Sequence, residues 1–509
     1  MRNLLILILP LLIASGCAVN PVTGKNELSF ISEQEEIARG SAQYLPSQQS
    51  QGGLLVVDPE LSRYVNEVGQ RVATAGDRDL PYEFIVLNNG VPNAWALPGG
   101  KIAINRGLLL ELNNEAELAA VLGHEAVHAA AKHGVNAMQR GMILQGVVAA
   151  TAIGAAASDN DYGNYIVGGA QLGAQLISQK YGRGAELESD LYGTRYMAKA
   201  GYDPTAAISL QETFVRLSEG RQTNFIDGLF ASHPPSADRV AANKQTVAEL
   251  GNPGGEMGTE RYQQAIAFLV ENSYAYENFD EAQAFLGKKQ FTEAQRSLDA
   301  ALIQLPREPR FHGLQGNVHY QQKRYEKAEA AYARAIELDE NYFEYHLGLG
   351  LVQSRIGNKQ LAKQYLERSN KLLPTAVASN ELGELSLAGG NRNLAKQYFS
   401  SAMSAQGNIA EQASSSFIKL DLVDRPTQYI NIQSGLSNKG YLVTRINNTT
   451  PFAIKKVRVR FSANYNGSNQ SSVIDLALNP GSSRNATPGW QFPNQEALSY
   501  QVDVIGVEL

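Results

Sequence analysis

Cysteine is all but missing from this 509-residue chain, where Cys17 stands alone, so no disulfide can form within it. A basic excess is missing too. With 44 Lys and Arg against 50 Asp and Glu, the net charge is −6, and nucleic acid, which needs a concentrated basic surface, is not an expected partner. Unbroken apolar runs of the roughly 18 residues that cross a bilayer are also lacking. The nearest approaches are Leu4 to Ile13 and a stretch rich in Gly, Ala, Val and Ile from Met142 to Ile177, broken at Ser158 to Asp161. The second reads as two helices, buried or facing a substrate, with a membrane-dipping loop as the alternative. What is present, 43% apolar and 18% charged residues, is the balance of soluble folded domains and not of a disordered or polytopic chain. The length exceeds one core, so two to four domains are expected.

At the N-terminus Arg2 precedes the apolar run, which closes on Ala14, Ser15, Gly16 and Cys17. A basic residue, about ten apolar ones and small residues before the end have the form of a secretory signal, too short for a spanning helix. The only cysteine sits where cleavage is expected, as in the bacterial lipobox, in which that residue is acylated and becomes the mature N-terminus. Several acyl chains anchor a protein durably where one does not. Ala18 in place of Asp implies the outer membrane, with the protein facing the periplasm.

Further along, Ser32 with Glu35 has the capping-box pattern of a helix start. Phe84 to Leu87 and Lys101 to Asn105 read as strands, and a long helical pattern begins near Asn114. From Ala282 to about Ala405 the chain repeats itself. Ala294, Ala328, Ala362 and Ala395 recur at steps of 34, 34 and 33, each followed four residues later by Leu298, Tyr332, Leu366 or Phe399. Gly316, Gly350 and Gly383 each stand twelve residues before one of these alanines, and Pro306 or Pro374 closes a repeat. That is the tetratricopeptide signature, whose stacked helix pairs form a solenoid with a concave binding face. After Pro426 short β-like runs, Tyr441 to Ile446, Ile454 to Phe461, Val473 to Leu478 and Tyr500 to Val507, separated by Asn- and Gly-rich turns, predict a small β-sandwich.

The chemistry lies in His124-Glu125-Ala126-Val127-His128. One helical turn puts both imidazoles on one face, where they reach one ion, and Glu125 stands beside them to hold a water. Zinc takes neutral imidazole and carboxylate ligands, and its catalytic sites keep a position for water. A histidine six residues after His128 would give a metzincin, but that position is Gly134, and His133 is out of register. A carboxylate from a later helix is the other way to close the site, and Glu186-Leu187-Glu188-Ser189-Asp190 supplies candidates. His133 itself reads as a residue at a helix end, favoured by the C-terminal dipole.

His124-Glu125-x-x-His128, followed about 60 residues on by Glu186-x-x-x-Asp190, resembles the HtpX-type gluzincin peptidases. The resemblance extends to Asn93 through Gly100 and to Ser232-His233-Pro234 with Arg239, and covers roughly residues 20 to 245. Ser189 departs from the Ala usual before the aspartate. The resemblance implies one zinc ion held by His124, His128 and Glu186, Glu125 as the catalytic base, and Asp190 orienting a ligand histidine. It leaves Glu188 as a solvated or capping carboxylate. His233 is a candidate to gate the site by taking the water's place, to donate to the oxyanion, or to hold a helix start. With a lipoprotein signal before it and repeats after it, the domain is similar to those of the BepA-like periplasmic metallopeptidases.

The expected architecture is multidomain α+β. Residues 1–17 are the signal with the lipidated Cys17, 18–260 a mostly α zincin-like metalloprotease domain, 261–415 an α-solenoid of tetratricopeptide repeats, and 425–509 the β-sandwich. The expected function is a zinc-dependent endopeptidase of the cell envelope that cleaves unfolded or misassembled envelope proteins and recruits protein partners through the repeats. The alternative is a repeat scaffold or chaperone with a latched site. An extended substrate is expected to lie on the strand Lys101 to Asn105 by β-augmentation.

Overall fold

The structure, a computed structural model, describes residues 17–148, 180–219, 229–493 and 498–509. Residues 1–16 of the expected signal and most of the Met142 to Ile177 stretch therefore lie outside the described residues. Two compact units divide the chain, Met1–Pro374 and Thr375–Leu509.

The first unit opens with a hairpin of β1 (Cys17–Val19) and β2 (Asn26–Leu28). Helix α1 (Glu33–Ser50) starts where the capping pattern predicted, with Ser32 Oγ accepting from Glu35 N at 3.2 Å and acidic residues filling the first turn. Asp58 and Pro59 start α2 (Pro59–Thr74). Its Leu61, Val65, Val68 and Val72 recur at helical spacing and are buried, each contributing about 1.5–3 kcal/mol through burial. They pack in one core with Phe84, Val86, Ile102 and Ile104 from a sheet of β3 (Glu83–Leu87), β4 (Ala94–Leu97) and β5 (Lys101–Asn105).

The order in that sheet is β3-β5-β4, with β5 parallel to β3 and antiparallel to β4. This corrects the expectation of a substrate edge at Lys101 to Asn105. Within the motif segment, Ala94–Leu97 is itself a strand and covers that side, so β5 is central and the outer strands of this sheet are β3 and β4.

Helix α3 (Glu115–Ala130) carries the HExxH motif, and every one of its residues is buried. Asn114 caps its start, accepting from Glu117 N at 2.9 Å. At its far end Arg78, held by Glu36 at 2.8 and 2.9 Å, reaches the carbonyls of Ala129 and Ala130, and the Asn20 side chain donates to Ala131 O at 3.2 Å. Lys132, at φ +60°, then turns the chain into α4 (His133–Val148). After α4 come α5 (Arg183–Lys199), α6 (Thr205–Glu219), a turn at Leu229–Ser232 and α7 (Ala237–Glu249).

The repeats follow as helix pairs: α8 (Ser273–Gly287) with α9 (Phe291–Gln304), α10 (Pro309–Gln321) with α11 (Tyr325–Leu338), and α12 (Phe343–Arg355) with α13 (Lys359–Leu372). The periodic alanines and their large partners are buried as the period implies. A Cβ on Gly316 would stand 2.6 Å from the Tyr332 ring, and one on Gly350 2.7 Å from Leu366; the glycine is the socket for the large residue. These repeats are tied to the preceding part of the same unit. Gln49 bonds Asn341 O and Phe343 N, both at 2.8 Å, Arg106 pairs with Asp280 at 3.1 Å, and buried Glu308 accepts from Asn88 and Tyr276 at 3.0 and 2.9 Å.

In the second unit α14 (Ala376–Ala388), α15 (Arg392–Ala402) and α16 (Asn408–Asp424) precede the β segment. Two three-stranded antiparallel sheets share one core, as a sandwich requires. They are β10 (Ser483–Ala486), β7 (Leu442–Asn448) and β6 (Ile430–Leu436), and β11 (Leu498–Glu508), β8 (Ile454–Tyr465) and β9 (Ser468–Leu478). Asn466 and Gly467, at φ +50° and +82°, make the tight β8–β9 turn. Leu422 of α16 enters the sandwich core. Among the described residues, no helix is long and apolar enough to cross a membrane.

Candidate metal centre

Three elements meet at the site. α3 presents His124 and His128 one turn apart, with their Nε2 atoms 3.0 Å from each other. α5 brings Glu186 and Asp190, again one turn apart, against that face. The two helices approach this closely at Gly193, where a Cβ would lie 2.9 Å from His124 N. The third element is the turn at Leu229–Ser232, which ends in His233 with its N–H on Leu229 O at 2.8 Å.

His124, His128, Glu186 and His233 are all buried, and their donor atoms lie within 4.8 Å of one another. His233 Nδ1 stands 3.3 Å from His124 Nε2 and 3.0 Å from Glu186 Oε1. Glu186 Oε1 is 3.4 Å from His128 Nε2, and Oε2 is 3.6 Å from His124 Nε2. Donors bound at ~2.0–2.1 Å to one tetrahedral zinc stand roughly 3.3 Å apart, so these separations and this donor set fit zinc. Imidazole nitrogens crowded lone pair to lone pair are otherwise unfavourable, and a cation relieves them.

The electrostatics agree with that fit. Burial, together with the neighbouring His124 and His133, holds His128 well below the usual imidazole range, in its neutral ligand form. Burial opposes the charge of Glu186, yet His233 and the other imidazoles beside it keep it far below the usual carboxylate range. For His233 burial lowers the pKa, but Glu186 and Glu125 outweigh it and raise it. Asp190, also penalised by burial, is kept low by Arg239 and His124.

Glu125 lies beside the cluster with Oε1 3.5 Å from His233 Nε2; its buried Oε2 has no protein partner. Asp190 Oδ1 accepts from His124 Nδ1 at 2.9 Å, and Arg239 grips Asp190 through two N–H groups at 2.6 and 2.7 Å. Arg239 was marked in the sequence by its place after Ser232-His233-Pro234, without its contact. Tyr181 was missed: its ring lies on His128 with centroids 4.0 Å apart, and nothing in the sequence around it signals this. The remaining expected site residue, Cys17, opens β1.

Two readings need correction. His133 starts α4 and does not sit at the C-terminal end of α3, so no C-terminal dipole accounts for it; its Nδ1 lies 3.0 Å from His128 Nδ1. Glu188 is neither solvated nor a cap: it is half-buried and 3.2 Å from His133 Nε2.

Residues 59–247 match the family model described as Peptidase family M48, and residues 279–343 match that of the tetratricopeptide repeat. The beta-barrel assembly-enhancing protease of Yersinia pestis is 26% identical over 364 residues, 66% of this chain and 74% of that protein. That of Escherichia coli K12 is 28% identical over 234 residues, 45% of this chain and 47% of that protein. The mitochondrial metalloendopeptidase OMA1 of Schizosaccharomyces pombe is 33% identical over 192 residues, 36% of this chain and 53% of that protein. The match thus spans between about half and three quarters of the length of these relatives. Residues 59–247 are thus similar to peptidase family M48 and residues 279–343 to the tetratricopeptide repeat, and the chain as a whole is similar to the beta-barrel assembly-enhancing proteases.

Proposed function

We propose that this chain is a zinc-dependent endopeptidase of the bacterial cell envelope, held at the outer membrane through a lipidated Cys17 and facing the periplasm. The observation that carries the reading is the convergence of His124, His128 and Glu186 at zinc-like separations, with an unpartnered Glu125 oxygen beside them. His124, His128 and Glu186 are the proposed ligands. Zinc bound there supplies Lewis acidity toward a peptide carbonyl and lowers the pKa of a water. Glu125 takes the water's proton on its free Oε2 and returns it to the leaving amine. Asp190, itself gripped by Arg239, holds the proton of His124 on Nδ1 and so keeps its Nε2 free for the metal.

An extended peptide is proposed to pair with β4, the outer strand. Asn105 N donates to Asn93 O at 2.8 Å, so by antiparallel alternation Ala94 and Ala96 turn their backbone groups away from β5. Main-chain pairing tolerates many sequences, which suits exposed segments of misfolded envelope proteins, the substrates we propose. The division of labour follows the expected domains: 18–260 cleaves and 261–415 recruits clients and partners.

His233 is proposed as a latch. Its Nδ1 takes a fourth corner of the donor set, the place a catalytic water needs. The alternative function, a repeat scaffold or chaperone with a latched site, draws on this same feature. One assay separates these readings. Casein or misfolded porin is cleaved by wild type, more by His233→Ala and not by Glu125→Gln. Cleavage unchanged by His233→Ala ends the latch, and equal cleavage by Glu125→Gln ends the mechanism.

A further inference from the structure

We propose that His133 and Glu188 form a hydrogen-bonded relay that holds His128 toward the metal, a counterpart of the Asp190 and Arg239 support behind His124. The proposal rests on the zinc reading above. Its first support is the backbone. Lys132, at φ +60°, folds the chain back sharply after α3, which sets the His133 ring edge-on to that of His128 with centroids 4.9 Å apart. Their Nδ1 atoms are 3.0 Å apart. Two imidazole nitrogens at that distance share one proton, so one is a donor and the other an acceptor.

Which is which follows from the other ends of the rings. His128 Nε2 points at His124 Nε2 and Glu186, 3.0 and 3.4 Å away, and must keep its lone pair for the ion. Its proton therefore sits on Nδ1, and His128 donates to His133. His133 then accepts at Nδ1 and carries its own proton on Nε2, which faces Glu188 Oε1 at 3.2 Å. A carboxylate can only accept, so each atom in the line has a single role, assigned from the network. Ser189 Oγ, at 3.4 Å from His133 Nδ1, is the weaker competitor for that acceptor.

The helix explains why Glu188 serves here and Glu186 does not. Two residues apart on α5 are about 200° apart in direction, so Glu186 enters the cluster while Glu188 reaches round to His133. Asp190, a full turn from Glu186, returns to the cluster face and takes His124. One helix thus presents three carboxylates to the same centre: Glu186 directly, Asp190 through His124, and Glu188 through two imidazoles. Polarisation along such a line raises the basicity of the ligand nitrogen and fixes the ring.

The test is zinc affinity of the full chain, measured by competition with a chromophoric chelator after stripping, with circular dichroism checking the fold. His133→Phe keeps a ring but makes neither bond, and it should weaken zinc binding about 10–100-fold. Glu188→Leu, which cannot accept from His133, should weaken it less. His133→Gln, whose amide can accept from His128 and donate to Glu188, should stay close to wild type, a rescue that loss of packing alone would not give. Cobalt-loaded His133→Phe should also show a shifted visible spectrum. Wild-type affinity in both His133→Phe and Glu188→Leu overturns the relay; if His133→Phe does not fold, Glu188→Leu decides alone. A wild-type chain that binds no zinc overturns the proposed function, and the relay with it.

Discussion

Tyr332 closes against Gly316 and Gly348 in the repeats, an apolar ring seated in two glycine sockets. Around α3 the apolar core is joined by buried contacts between ions and rings: Arg78 with Glu36, Arg239 with Asp190, and four imidazoles in a row from His233 to His133. The repeats use shape, tolerate neutral swaps of matching volume and need each position only for packing. The protease core holds charge where water is excluded, so each group there depends on a specific partner and losing one leaves another uncompensated. One region should therefore respond to substitution through stability, and the other through metal, activity and charge balance.

The widest separation between the two is expected from Glu125→Gln. It removes a base without removing a ligand or a packing contact, so turnover should fall by about 10²–10⁴-fold while zinc content and melting temperature stay at wild-type values. A large fall in melting temperature would place Glu125 among the structural ions instead. Next comes Arg78→Met, which leaves buried Glu36 with only the longer pair to Lys132 at 3.5 Å and should cost about 3–5 kcal/mol in denaturant unfolding. Adding Glu36→Leu should restore most of that, because removing both partners leaves no buried charge; a double variant as unstable as the single one would contradict the account of that pair.

On the repeat side, Gly348→Ala sets a Cβ 2.2 Å from the Tyr332 ring and should cost about 1–3 kcal/mol by overpacking. Zinc affinity should not change, and a loss of zinc in a folded Gly348→Ala protein would break the separation drawn here. The smallest effect lies where the two regions join. Burial raises the pKa of Glu308 despite hydrogen bonds from Arg310 N and Tyr276. A carboxyl raised in the folded state contributes stability that is complete below its unfolded pKa and is lost as pH rises through the folded value. Melting curves of wild type and Glu308→Gln should therefore show the variant gaining on wild type from pH 4 to pH 7. A gap that does not change with pH would show that the charge of Glu308 is already compensated.

The same contrast explains what the sequence disclosed. A period of 34 or 33 residues states the repeats several times over, so Ala328, Tyr332 and Gly350 could be assigned buried roles without coordinates. The HExxH spacing is local to one helix, and Glu186 and Asp190 came from the family resemblance, one turn apart on another. The partners of His128 did not follow in this way. His133 was judged out of register against a metzincin ligand position and read as the end of the motif helix, whereas Lys132 at positive φ closes that helix and His133 starts the next one. Tyr181 reaches His128 from 53 positions away with no pattern to mark it. Strand β4 was quoted as a motif and not read as a strand, although its burial on both faces is that of an inner layer; this misplaced the open edge of the sheet.

The central claim is that one zinc ion sits between His124, His128 and Glu186. Metal analysis of the purified chain, wild type beside Glu186→Ala and Glu188→Ala at saturating zinc, tests it most directly. The account predicts one zinc per chain in wild type and in Glu188→Ala, whose support of the site is indirect, and none retained by Glu186→Ala. Zinc held normally by Glu186→Ala and lost from Glu188→Ala would contradict the ligand set, and a wild-type chain without zinc would contradict the site.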